Sequence, residues 1–344
     1  KKSKSKGRSG SKVCGYIDRM ATGPGKVEEI SAARGSLSAL GAQACFGVGS
    51  VVVGLALGSI SPLFFSLIRS STAAVLFLSY AGFKGIPLKD WLLIFVYGMA
   101  MFFSMAAYTI ALKMSSPVMA AIWQPTQPIF TLIMVVGLGM EPVSFQKTLG
   151  IGMAFSGCAY IVVANPDSGD VGGGMIAHLL FMLGCIGSSS MNLLSKELQK
   201  RGNTVGPMLG WSCTVCATLI GITTVVLQRD EEFLTILCPG KGCGNGWEIP
   251  DGFLFPYLYV VIMMTAMPYY LNSIASKVID GSVMSAFTAA QPVISAITTL
   301  IVSSILPNAG LKLPHSSMLY GVLGIFVGLA FVVTAPAAQK KKKD

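Results

Sequence analysis

Ten apolar stretches, each near the ~20 residues that cross a bilayer as a helix, leave this chain few ways to fold. They run at about 37–56, 61–82, 91–112, 117–138, 146–164, 173–194, 206–227, 252–274, 282–305 and 317–335. Strands of a membrane barrel would be ~10 residues long with alternating polarity, whereas these stretches are continuously apolar. Charged residues make up 12% of the chain and hydrophobic ones 53%, where a soluble globular protein carries roughly 25% charge. The expected fold class is therefore an all-α polytopic membrane protein with ten transmembrane helices. Connections between stretches are short, except for 228–251.

The formal net charge is +10. Most of the lysines lie in two tails and in short loops beside apolar segments, which argues against nucleic acid as a partner. Their distribution does orient the chain. With the N-terminus placed in the cytoplasm, twenty Lys and Arg fall on the cytoplasmic side and four (Lys113, Arg229, Lys241 and Lys312) on the other. Arg69 lies inside a segment. Both termini are then cytoplasmic, although which membrane holds the chain is not legible. Residues 1–36 form a basic tail, acid-free over its first twelve positions, and are expected to be disordered. Residues 337–344 form a second basic tail, and Lys341-Lys-Lys-Asp344 fits either a dilysine retrieval signal or a plain anchor. Both tails suit contact with anionic lipid.

The chain looks duplicated. Val118-Met-Ala-Ala-Ile-Trp-Gln-Pro-Thr-Gln-Pro-Ile-Phe130 returns as Val283-Met-Ser-Ala-Phe-Thr-Ala-Ala-Gln-Pro-Val-Ile294. Anchored on Gln127-Pro128 and Gln291-Pro292, the neighbourhoods align without a gap at an offset of 164 residues. Trp123 falls opposite Phe287, and Lys113 opposite Lys277. Gly150 and Gly157 match Gly321 and Gly328 at an offset of 171, and Ala44–Gly47 matches Gly184–Gly187 more weakly. Two five-helix halves must insert in opposite orientations. Such inverted repeats mark secondary transporters, whose substrate site lies near the midplane between the halves, built by interrupted helices.

The stretch Tyr108-Thr-Ile-Ala-Leu-Lys-Met-Ser-Ser-Pro-Val-Met-Ala-Ala121, then Gln127-Pro128, then Met140-Glu-Pro-Val-Ser-Phe-Gln146 leading into Gly150 and Gly157, resembles the drug/metabolite transporter superfamily in its EamA-type ten-helix form. Ser61-Pro-Leu-Phe-Phe-Ser-Leu-Ile-Arg69 looks like that family's second helix. The resemblance implies a first EamA-like repeat over 37–166, a second over 173–336, cytoplasmic termini and a central cavity. One departure stands out: the acidic residue that follows the fourth helix is Glu141 here, but Lys312 occupies that region of the second copy.

Candidate site residues follow from the interruptions. Pro125, Pro128 and Pro292 break helices and free backbone carbonyls, which need partners in lipid. Gln124, Gln127 and Gln291 are the natural partners, or line the substrate path. Trp123 and Phe287 either face one another across a cavity or pack. Asn192 and Gln43 are polar groups inside apolar segments, and Tyr108 opens the family-like stretch. Arg69 lies about eight residues into its segment, roughly 12 Å deep, where a charge costs at least ~2.5 kcal/mol. It either caps backbone carbonyls or pairs with the carboxylate of an organic or amino acid. His178 sits shallowly, as a packing residue or a reserve proton carrier. Gly54-x3-Gly58 and Gly324-x3-Gly328 permit close helix approach, the latter offering a dimer seam.

These features point to a secondary transporter of a small polar or amphipathic metabolite, of amino acid or organic acid type, working by alternating access. Coupling through a buried carboxylate is not expected, since every Asp and Glu falls in a tail, a loop or a helix end. A sugar-phosphate or nucleotide-sugar exchanger is the alternative within the superfamily, but it should need several embedded cations. A lipid scramblase, or a non-transporting subunit of a membrane complex, is the alternative outside it. No intramembrane catalytic pair is visible, so an enzyme is not expected, and neither cofactor nor metal is implied. Cys213-Thr-Val-Cys216 lies at lipid depth with no His nearby and reads as packing. Cys238 and Cys243 could close a disulfide if their loop faces an oxidising compartment.

Overall fold

The computed structural model describes residues 32–52, 60–114, 123–140, 144–163, 175–230, 246–249, 253–305 and 318–335. Both basic tails beyond these bounds lie outside the described residues, as do Gly54, Gly58, Glu141, Lys312, Cys238 and Cys243. Every regular element among the described residues is helical. In chain order these are α1 (Ala32–Val52), α2 (Pro62–Tyr80), α3 (Leu88–Leu112), α4 (Gln127–Gly137), α5 (Phe145–Val163), α6 (Met175–Lys200), α7 (Val205–Leu227), α8 (Leu254–Val278), α9 (Gly281–Ile305) and α10 (Met318–Val333). Among the described residues, seven helices (α1, α2, α3, α6, α7, α8 and α9) are long and apolar enough to cross a membrane. Their outer faces carry large apolar side chains in the open, including Leu92 at 73% and Phe255 at 81% exposed. Such a belt needs lipid to cover it, and the protein is an all-α, multi-pass integral membrane protein.

Several helices outrun their apolar cores. α6 continues to Lys200 rather than stopping near residue 194, carrying Lys196, Glu197 and Lys200 on its last turns. α8 reaches Val278 and α3 starts at Leu88. Straight-chain charged residues are good helix formers, so a helix does not end where its hydrophobic stretch does. Glycine sets two of the ends. Gly139 after α4 (φ 65°) and Gly202 after α6 (φ 93°) take the left-handed conformation. Behind them Met140 N–H reaches Val135 O at 2.8 Å and Asn203 N–H reaches Leu198 O at 3.2 Å, in the manner of helix-ending glycine motifs.

The interior is built by close helix approaches. α5 and α10 pack along their lengths. A Cβ on Gly150 would lie 2.7 Å from Gly328 O, and one on Gly157 would lie 2.6 Å from Gly321 O. The two helices therefore meet backbone to backbone and run antiparallel. Gly324 faces Gly157, and Gly328 faces Ala154 and Gly150. The dimer seam read from Gly324-x3-Gly328 is thus an intrachain seam: the spacing states that a helix comes close, not which one. Gly187 of α6 similarly abuts Ala100 O and Ser104 of α3, while Gly47 and Gly49 of α1 abut Ile294 of α9 and Met264 of α8. Around Leu63, Phe77, Met101, Met208 and Ile220, α2, α3 and α7 form the largest apolar core, which includes Cys213 and Cys216.

Helical geometry departs from regularity in α3 and α8 and again before each Gln-Pro. α3 contains a π-helical turn at Phe103–Ala107, and α8 one at Ile262–Ala266. α4 is preceded by a 3-10 turn at Gln124–Thr126, and the Gln-Pro of α9 by one at Phe287–Ala290. Interruptions of this kind concentrate at functional positions.

Candidate functional site

The break before α4 brings the first group of residues together. Gln127 N–H bonds the Gln124 carbonyl within the 3-10 turn, so the Trp123 carbonyl loses its ordinary helical donor. It accepts instead from Thr126 Oγ1 at 2.6 Å and from Cys185 Sγ of α6 at 3.3 Å. The Gln127 carbonyl accepts from Thr131 Oγ1 at 3.1 Å and from Ser189 Oγ of α6 at 3.1 Å. Among the described residues, hydroxyls and a thiol thus satisfy carbonyls at the break, not the side chains of Gln124 and Gln127. Of these, Cys185 and Ser189 carried no signal in the sequence that would have singled them out.

Freed of that duty, the polar side chains converge with aromatic ones. Trp123 Nε1–H donates to His178 Nδ1 at 3.3 Å, with the rings 6.3 Å apart. Tyr108 stands edge-on to Phe181 of α6 at 5.5 Å, and its hydroxyl is within reach of the Gln124 side chain. Tyr108, Trp123, Gln124 and His178 are all half-buried. His178 therefore belongs to this group, although its partner Trp123 is distant in sequence.

Arg69 is held by a different element. Its Nε–H donates to Thr265 Oγ1, and its Nη2–H donates to Met264 O at 2.9 Å. Both acceptors sit in the π-helical turn of α8, and Thr265 Oγ1 in turn donates to Val260 O at 3.0 Å. Arg69 thus links α2 to an irregular stretch of α8. One acceptor is a hydroxyl and one a backbone carbonyl, and together they use two of the guanidinium's five N–H groups.

The second break is drier. Phe287 is 6% exposed and packs with Ala39, Ile151, Ala275, Met284, Leu329 and Val332. Trp123 belongs to another cluster, with Ala111 and Phe181, so the two equivalent aromatics do not face each other. Gln291 Nε2–H donates to Gln43 Oε1 of α1. Pro292 follows it at the start of the regular helix. Asn192 is half-buried on α6, three residues after Ser189. Asn272 on α8, which the sequence did not single out, carries a buried Oδ1 without a hydrogen-bond partner among the described residues.

Ion pairs gather at one end of the bundle. Lys147 of α5, 2% exposed, places Nζ 2.8 Å from Asp280 Oδ2 just before α9. Lys196 Nζ of α6 lies 3.8 Å from Asp280 Oδ1 and donates to Ile279 O at 3.1 Å. Asp90, fully buried at the start of α3, accepts from Asn203 Nδ2 at 2.8 Å and from Arg201 Nη1 at 3.4 Å. The carboxylates expected at helix ends are therefore neutralised there. Among the described residues no cluster of His, Cys, Asp or Glu suits a metal ion.

Comparison with known proteins accords with this architecture. A crystal structure superposes with a TM-score of 0.67 at 16% identity, covering 86% of this chain and 95% of its own, which establishes a shared fold. S-adenosylmethionine uptake transporters of Rickettsia felis and Rickettsia bellii are each 22% identical over 294 residues. The alignment spans 86% of this chain, with 89% of the first relative and 90% of the second. Residues 33–163, which run from α1 to the end of α5, match the EamA-like transporter family.

Proposed function

We propose that the chain carries a small metabolite bearing an amino-acid group, with S-adenosylmethionine as the leading candidate, by alternating access between two inverted five-helix halves. The observation that carries this reading is the Tyr108, Trp123, Gln124 and His178 group at the break before α4. It joins the first half to α6 of the second and combines aromatic faces with hydrogen-bonding edges. Such a group suits a purine ring by stacking and a sulfonium by cation–π attraction. The Rickettsia relatives supply the specific compound.

Three further features support the mechanism. The glycines of α5 and α10 pair reciprocally, Gly150 with Gly328 and Gly157 with Gly321, as expected where equivalent residues meet about a two-fold axis. α1 packs on α8 and α9, while α6 packs on α3 and α4, so each half lends its first helix to the other. The Lys147–Asp280 and Arg201–Asp90 pairs both tie residues of the first half to residues of the second. This suits a state closed at the basic end, which the Lys/Arg imbalance assigns to the cytoplasm together with both termini. Arg69, occupied by Thr265 and Met264, argues against the phosphate-linked alternative, which needs free embedded cations.

Uptake into proteoliposomes tests the reading. Labelled S-adenosylmethionine should enter saturably and exchange with internal unlabelled compound, and Trp123→Ala should lower kcat/KM by about tenfold or more. Lipid exchange without uptake of S-adenosylmethionine or any amino-acid solute would replace the transporter mechanism with a scramblase.

A further inference from the structure

A small basic pocket of about 190 Å³ lies at the ion-paired end of the bundle, where the loop between α2 and α3 meets the loop between α6 and α7. Lys84, Lys89, Arg201, Asn203 and Thr204 contribute to its lining. The nearby acids are engaged by other groups. Asp90 is fully buried and taken up by Asn203 and Arg201, and Glu197 pairs with Arg201 and Lys200. Lys84 and Lys89 are exposed and form no ion pair among the described residues. The pocket therefore offers two uncompensated cations, Lys84 and Lys89, beside an arginine already paired with Asp90 and Glu197, and the two free charges select an anion.

Its depth in the membrane is marked by its neighbours. Trp211 Nε1–H donates to Lys84 O at 3.1 Å, and Trp91 stands edge-on to Trp211 at 5.2 Å. Indoles of this kind settle at the headgroup level. Phe83 on the same loop is 64% and Leu88 at the start of α3 is 90% exposed, and these side chains are covered when they reach the edge of the hydrocarbon. A soluble anion would have no use for that apolar flank. We propose that this pocket holds the phosphate of an anionic phospholipid headgroup, with Lys84 and Lys89 as its ligands and Phe83 and Leu88 against the acyl chains. The site stands apart from the aromatic group at the α4 break and does not depend on what is transported.

The test uses the full chain in detergent, titrated with short-chain phosphatidylglycerol, phosphatidylcholine, glycerol phosphate or inorganic phosphate, and followed by thermal unfolding. Phosphatidylglycerol should stabilise the wild type and the other three should not. Lys84→Gln and Lys89→Gln should each weaken phosphatidylglycerol about fivefold, from the typical contribution of one interfacial cation, and Lys84→Arg should restore it. Lys277→Gln, which removes a charge at the same end outside the pocket, should leave the affinity unchanged. Unchanged affinity in both pocket variants, or an equal loss in Lys277→Gln, would overturn the site. Stabilisation by inorganic phosphate or glycerol phosphate at matching concentrations would overturn the lipid as its ligand.

Discussion

The two Gln-Pro breaks share a backbone device and differ in what surrounds it. Each follows a 3-10 turn, and each turn is stitched by a threonine hydroxyl: Thr126 to Trp123 O, and Thr288 to Ser285 O. Around the first, the side chains are Trp123, Gln124 and Thr126, half-buried beside Tyr108 and His178. Around the second, the aligned positions hold Phe287, Thr288 and Ala290, all buried, with Phe287 in an apolar cluster. The interruption is present at both Gln-Pro sites, each after its own 3-10 turn. The polar and aromatic chemistry is concentrated at the first break. On the transport reading proposed above, the first break and not the second would then meet the substrate.

The sharpest way to break this comparison is to truncate the two aromatics in parallel. Phe287→Ala should cost about 3 kcal/mol of stability through the cavity it leaves, with transport falling only as folded protein falls. Trp123→Ala should leave unfolding closer to wild type and remove most uptake per folded molecule. Thermal unfolding and uptake measured on the same preparations decide the matter. The reverse pattern would place the substrate beside the second break.

Arg69 comes next in size. Arg69→Gln removes two charge-assisted bonds to the π-helical turn of α8, each typically about 1.5–3 kcal/mol, and less in membranes, where the unfolded reference also finds partners. The expected outcome is a lower unfolding temperature with KM unchanged. Arg69→Lys, lacking the fork that reaches Thr265 and Met264 together, should recover only part of the stability. A selective rise in KM with stability intact would return Arg69 to the substrate.

The break residues illustrate what was legible and what was not. Proline positions and the apolar length of each stretch depend on local physics, so the helices and the interruption at Gln127-Pro128 could be read from the chain. The π-helical turns of α3 and α8 could not, because packing and not propensity inserts the extra residue. Partners were the other blind spot. Thr265 lies 196 residues from Arg69 and His178 55 residues from Trp123, and nothing in the spacing announces either meeting. Gly324 and Gly328 show the same limit: close approach was legible, but α5 as its partner was not. Candidate residues were therefore nameable one by one, while their grouping required the fold.

A smaller effect separates the two glutamines. Gln291→Ala removes its bond to Gln43 and should lower stability by about 0.6–1 kcal/mol, the usual range for a side-chain hydrogen bond inside a membrane protein. Gln127, only 8% exposed, lends its carbonyl to Ser189 of α6, and among the described residues no hydrogen bond of its side chain to α6 is formed. Gln127→Ala should therefore spare stability and alter KM if the side chain meets substrate. Equal destabilisation by both substitutions would make the glutamines equivalent structural parts and erase this difference between the halves.

The smallest expected effect tests whether the first break moves. Ser189 of α6 donates to Gln127 O at 3.1 Å, and the same carbonyl also accepts from Thr131 within α4. Ser189→Ala removes only the bond between helices, and the carbonyl keeps a donor, so no buried acceptor is orphaned. At about 0.6 kcal/mol for such a bond, global stability should barely change. If α4 shifts against α6 during the cycle, however, the bond exists in one state and not the other. Its loss then biases the equilibrium between states by about threefold. Cysteine accessibility measured from the two sides of the membrane should move by that factor in Ser189→Ala. Thr131→Ala, which breaks a bond internal to α4, should leave it unchanged. An identical response in the two variants, or none in either, would mean that the break before α4 is a fixed kink and that the motion lies elsewhere.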